Sequence, residues 1–177
     1  MRIAGVCIAL FITTSLVATT AQAKYGPDDE AETLEAMRPK EEKEAPLPPF
    51  PVLKNLLTVD TGPTARHSFA IDPQALTIAD EYVVRYTVVS TSSSGARNVS
   101  FEGINCMTMQ FKRYAYGTPD GKWVRTRENQ WQPVSSMAQN QFHHTVRQFF
   151  FCQGGFPAGT AQDILSRIRD NRPLMQN

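Results

Sequence analysis

The chain has 177 residues, with 18 Lys and Arg against 17 Asp and Glu, a net charge of +1. That balance gives no global positive charge for nucleic-acid binding. The three cysteines have no CxxC spacing, so no thiolate metal centre is indicated.

The first residues, MRIAGVCIALFITTSLVATTAQA, place Arg2 before an apolar run closed by Ala21-Gln22-Ala23. This predicts a cleaved secretory signal peptide over residues 1–23, and hence an exported chain. Thr13, Thr14, Ser15, Thr19 and Thr20 dilute the run below what a membrane span needs. Cys7 lies too early to be a lipid-anchored cysteine. Cleavage leaves 154 residues, enough for one domain with a core. It also leaves two cysteines, Cys106 and Cys152, and an even pair in an exported chain predicts a disulfide. Closing that loop stabilises by roughly 4 kcal/mol in the loop-entropy model.

Residues 24–44 carry a net charge of −4 and few large apolar side chains, so a disordered acidic segment is expected there. Residues 45–177 carry +4. Ala45 to Pro51, APLPPFP, should be extended and stiff. It reads as a spacer, or more sharply as a proline-rich ligand for a partner domain. Leu53 to Val59 suits an edge strand or a short helix. Ser68 to Ile71 is a short strand stopped by Asp72-Pro73, and Leu76 to Ile78 alternates weakly. Tyr82 to Ser90 is the strongest strand, with Tyr82, Val84, Tyr86 and Val88 on one face. Ser90 to Gly95 is a turn, and Asn98 to Glu102 returns with Val99 and Phe101 on one side, so the pair reads as an antiparallel hairpin. Cys106 to Tyr116 reads as a third strand with Met107, Met109 and Phe111 on one face. Gly117 to Gly121 is a turn. Lys122 to Arg125 and Trp131 to Val134 are further short strands. The period then changes: Phe142, Val146, Phe149 and Phe150 predict a helix over Met137 to Phe149 behind Ser135-Ser136. Thr160 and Asp163 form a capping box for a last helix with Ile164, Leu165 and Ile168 on one face.

The predicted fold is α+β: an antiparallel sheet of four to six strands with C-terminal helices on one face. A small β-sandwich is the alternative. The expected organisation is a signal peptide at 1–23, an acidic, Pro-rich linker at 24–47, one globular domain at 48–172 and a tail at 173–177.

Val84-Arg85-Tyr86-Thr87, Ser94-Gly95-Ala96 with Asn98-Val99-Ser100, Glu102-Gly103-Ile104 and Cys106, Tyr114-Ala115, Gly117, Asp120-Gly121, Trp123, Trp131 and Phe150-Phe151-Cys152 together carry a resemblance. The chain resembles the cryptic neisserial protein-like family, small exported proteins of Gram-negative bacteria, from about Pro48 to Cys152. The resemblance implies a periplasmic location and an envelope role, and supplies no catalytic residue to carry over. Family members are often taken for lipoproteins; the Ala21-Gln22-Ala23 ending followed by Lys24 departs from that.

Candidate binding residues are Arg97, Asn98, Glu102, Asn105 and Trp123. Arg97 in the hairpin has the fork geometry for a carboxylate or phosphate. Its bland role is a solvated side chain, and that of Asn98 and Asn105 is to bond turn backbone. Glu102 lies opposite Val99 and Phe101, on the polar side of its strand. A general acid or base there would need a partner from His143 or His144, which point about 100° apart on a helix. Ser92 to Ser94 complete a triad only on paper, without a nucleophile motif. His67, His143, His144 and Glu102 lack H-x-x-H or HExxH spacing, so neither metal nor cofactor is expected. Tyr86, Tyr114, Tyr116, Trp123 and Trp131 read as cross-strand core, or alternatively as a stacking platform for sugar rings.

The leading reading is a non-enzymatic binding module of the cell envelope. Its basic body, including Arg97, Arg113, Arg125, Arg127 and Arg147, would meet an envelope protein or an anionic envelope polymer, with the acidic N-terminal segment covering that surface in its absence. The second reading is an envelope-directed hydrolase or lyase using Glu102 with His143 or His144; a buried Glu–His contact would favour it. A third is a structural accessory protein.

Overall fold

A computed structural model describes residues 42, 44–62, 65–80, 82–127, 130–135 and 141–175. The signal-peptide reading and most of the acidic segment lie outside these residues, as does the start of the predicted helix at Met137.

The centre is the hairpin of β4 (Val83–Ser92) and β5 (Arg97–Asn105), paired along nine positions from Val83↔Asn105 to Thr91↔Arg97. Gly95, at φ +84°, makes the turn, and the Ser92 hydroxyl accepts from the Ala96 amide. β6 (Gln110–Gly117) pairs with the far side of β5. Each outer edge is then filled by two short strands in succession. Beside β4 lie β2 (His67–Ile71) and β3 (Thr77–Ala79). Beside β6 lie β7 (Trp123–Arg125) and β8 (Gln132–Pro133). β1 (Leu57–Val59) closes the β2 edge. The result is one eight-stranded antiparallel sheet. The α+β layering expected from sequence holds, but four to six strands was too few. Gln132–Pro133 lies within the Trp131 to Val134 stretch read as a strand; the undercount came from short edge pieces such as Leu57–Val59 and Thr77–Ala79, whose few residues carry too little alternation to show that they join the same sheet.

One face of the sheet is covered by α1 (Gln141–Val146), a wider π-helical turn (Arg147–Phe151) and α2 (Ala161–Arg169). The predicted capping box is present: the Thr160 hydroxyl accepts from the Asp163 amide, and Asp163 accepts from the Thr160 amide. α2 buries Ile164, Leu165 and Ile168, and α1 buries Phe142 and Val146. These meet Val84, Tyr86, Ile104 and Phe111 of the sheet. A short hairpin of β9 (Cys152–Gln153) and β10 (Phe156–Pro157) follows the π turn. The disulfide joins Cys106 to Cys152 with 5.4 Å between Cα atoms, tying the end of β5 to the helical layer.

Three further sequence expectations are corrected. Cys106 to Met109 is a turn, not the start of a strand. The Asn105 carboxamide oxygen accepts from the amides of Met107 and Thr108, and Met109 has φ +57°, so the Met107/Met109 alternation was not a strand period. The linker expected through residue 47 does not stay free at its C-terminal end. Ala45 is 3% exposed in a second apolar cluster with Phe101, Tyr114 and Ala115, on the face away from the helices. Beyond 172, the Leu174 amide donates to the Phe149 carbonyl at 2.7 Å, so the start of the expected tail is also fastened.

Candidate functional site

Register places Glu102. It pairs with Tyr86 on β4 and Arg113 on β6, on the face under α1. It does lie opposite Phe101, as the alternation says, but that side is the main core rather than solvent. Both faces of β5 are covered, so the side left for Glu102 is closed. A bulge sets the Arg113 pairing. Phe101 opposes Ala115 while Glu102 opposes Arg113, which leaves Tyr114 as an extra residue. Without it, Tyr114 would face Glu102, and Arg113 would point to the other side. The same insertion brings Tyr116 onto the Arg113 face.

Glu102 is 2% exposed and accepts four hydrogen bonds. The Tyr86 hydroxyl donates at 3.0 Å, the Ser100 hydroxyl at 2.8 Å, Arg113 Nε at 2.8 Å and His143 Nε2 at 2.8 Å. Burial alone would raise its pKa. The charge and hydrogen bond of His143, then Arg113 and the Ser100 hydroxyl, outweigh burial and hold the carboxyl at about 2. Burial and the neighbouring Glu102 charge push the Tyr86 phenol well up, which keeps it a donor. An ionised carboxylate only accepts, so Nε2 carries the imidazole proton. His143 Nδ1 is buried and without a hydrogen-bond partner among the described residues. The ring stacks on Phe111 at 3.9 Å between centroids. Of the two adjacent histidines, His143 turns to Glu102, and His144 lines a different hollow with Phe149 and Phe150.

A cavity of about 690 Å³ opens above this network. Arg113 reaches into it, with Nε on Glu102 and Nη1 donating to the Tyr116 hydroxyl at 3.1 Å. Arg66 and His67 line the opposite wall, Asn98 and Gln141 supply amides, and Phe69 and Phe142, stacked at 4.5 Å, supply an apolar side. Glu102 is the single acid among the lining residues.

Of the five residues singled out by sequence, two meet here: Glu102 beneath the cavity and Asn98 lining it. Arg97 points to the other face and lines a shallow hollow of about 240 Å³. Asn105 caps its turn, and Trp123 Nε1 donates to the Pro48 carbonyl at 2.9 Å, so its ring is packed rather than offered to sugars. Ser92 to Ser94 sit at the hairpin end, about 20 Å along β4 from Tyr86 at strand rise, so no triad forms. Sequence reasoning missed Ser100, Arg66 and the pairing of Arg113. Ser100 is two residues from Glu102, and strand alternation alone puts it on the same face. Among the described residues, no group of three His, Cys, Asp or Glu is placed to hold a metal. Among them, too, no helix is long and apolar enough to cross a membrane.

No curated protein and no solved structure matches the chain. Its sequence matches the model of the CNP1-like family over residues 35–169, and the chain belongs to that family.

Proposed function

We propose that this protein is a non-enzymatic binding module of the Gram-negative cell envelope, exported to the periplasm, and that the cavity above Glu102 is its ligand site. One observation carries the reading. Arg113 is fixed by Glu102 and Tyr116 with its outer guanidinium nitrogen unused among the described residues, in a cavity that Arg66 and His67 also line, while the acid in that cavity is already neutralised. Such a site suits a carboxylate or phosphate attached to a partly apolar body. The test is calorimetric titration with a panel of small carboxylates and phosphates. Binding should fall at least about tenfold in Arg66→Gln and in Arg113→Gln and stay unchanged in Arg97→Ala. Arg66 is exposed and outside the buried network, so its variant keeps the test valid if Arg113→Gln unfolds. Failure of every panel member to bind, or binding that survives both changes, overturns the reading.

The 2.8 Å Glu102–His143 contact gives the hydrolase or lyase reading its support. In that case Glu102 acts as a positioning residue, because a carboxyl at about 2 with four donors exchanges no proton near neutrality. The base would be His143 Nδ1, which is buried. Mass spectrometry of a bound panel member after long incubation separates the two readings: unchanged ligand removes the enzyme.

A further inference from the structure

The other face of the sheet carries a second site, independent of the cavity. Glu42 and residues 44–50 cross it as a strap without regular secondary structure, and among the described residues no backbone–backbone hydrogen bond joins them to a strand. The sheet holds the strap by side chains. Glu42 accepts from Arg85 Nη2 at 3.3 Å, from Lys112 Nζ at 3.0 Å and from the Tyr114 hydroxyl, and its side chain is 9% exposed. Arg125 Nη2 donates to the Ala45 carbonyl at 3.2 Å, and Trp123 Nε1 donates to the Pro48 carbonyl. Phe50 packs on Trp123 at 5.2 Å. Gly117 leaves room for that ring: a Cβ there would come within 2.8 Å of it.

This is how extended proline-rich ligands are recognised: an aromatic-lined groove, an indole N–H on a proline carbonyl, and a charged anchor at one end. The acidic anchor meets cations, since Arg85, Lys112 and Arg125 face Glu42 and Glu44. The Pro-rich stretch is thus bound as a ligand, and its receptor is in its own chain. A ligand held without strand pairing can be exchanged one anchor at a time.

We infer that this groove is a peptide-binding site for an acidic, proline-containing segment of another envelope protein, and that the strap is its resident competitor. The probe is a synthetic peptide spanning residues 41–52, titrated against the full chain. Fluorescence anisotropy gives affinity, and the Trp123 indole resonance reports the groove. A tether supplies an effective concentration on the order of millimolar, so wild type should bind weakly. Glu42→Gln weakens the competitor and should bind at least about tenfold tighter. A peptide with Gln at the position of Glu42 should lose about as much, and Trp123→Phe should abolish binding. Equal affinities for the Glu and Gln peptides, or a Glu42→Gln chain that binds no tighter than wild type, overturn the inference. Should Glu42→Gln fail to fold, wild type at several millimolar peptide serves instead, and an unmoved Trp123 resonance overturns it. A Glu42→Gln chain that forms a concentration-dependent dimer through its own strap also overturns it, because the occupant is then a second copy.

Discussion

Glu102 should make this protein acid-labile in a defined window. The folded carboxyl titrates at about 2, against an ordinary value of 4.5. Between those values the unfolded chain binds a proton that the folded chain refuses, so stability rises with pH there. The contribution is complete above about pH 5 and is lost as pH falls through the folded value. A difference of about 2.5 pH units corresponds to about 3 kcal/mol. The groups facing the carboxylate are Tyr86 from β4, Ser100 from β5, Arg113 from β6 and His143 from α1. Glu102→Gln removes the titration and leaves the Arg113 guanidinium and the His143 Nε2 donor opposite an amide, which at neutral pH should cost about 3–5 kcal/mol. Urea unfolding followed by tryptophan fluorescence, repeated from pH 7 to 2.5, gives the gap between wild type and variant at each pH. Asp120 and Asp163 are also depressed but are common to both proteins, so the gap cancels them. The gap should shrink by about 2.4 kcal/mol between pH 5 and 2.5, most of the full contribution. A gap that is constant over that range refutes the account of Glu102 as a buried anion.

On the strap face, Gly103→Ala would drive a Cβ into the Tyr114 hydroxyl that holds Glu42. It should cost about 1–3 kcal/mol of stability and shift the Trp123 emission, and an unmoved melting temperature contradicts the packing described. Replacing Cys106 and Cys152 together by serine should cost about 2–5 kcal/mol in chemical denaturation. Alkylation of the protein without reduction should leave Cys106 and Cys152 unlabelled, and a label on both would disprove the bond.

The strands were legible because β4 and β5 alternate over many residues, and the last helix because Thr160 and Asp163 cap a periodic face. The faces were less so. Alternation assigns a core side only when one side meets water; here Tyr86 and Glu102 lie over one apolar cluster while Phe101 and Tyr114 lie over another. The bulge at Tyr114 left no mark in the sequence, yet it decides which strand partner Glu102 receives. Residues 24–47 looked disordered because they bury little apolar surface. That argument omits counter-charges supplied from afar, and Glu42 finds Arg85 43 residues away and Lys112 70 residues away.

Lys112, Arg113 and Tyr114 are consecutive, and they serve two different carboxylates. Lys112 and Tyr114 hold Glu42 on the strap face, while Arg113 holds Glu102 on the cavity face. The bulge makes this division work. Tyr114 and its neighbour Ala115 both enter the strap-side cluster, which returns Tyr116 to the cavity, where its hydroxyl steadies Arg113. A regular strand would have separated Arg113 from Tyr116. The cavity and the groove therefore share one irregularity in one strand. A ligand that pulls Arg113 away from Glu102 therefore acts on the residue that lies between Lys112 and Tyr114, the two that hold Glu42.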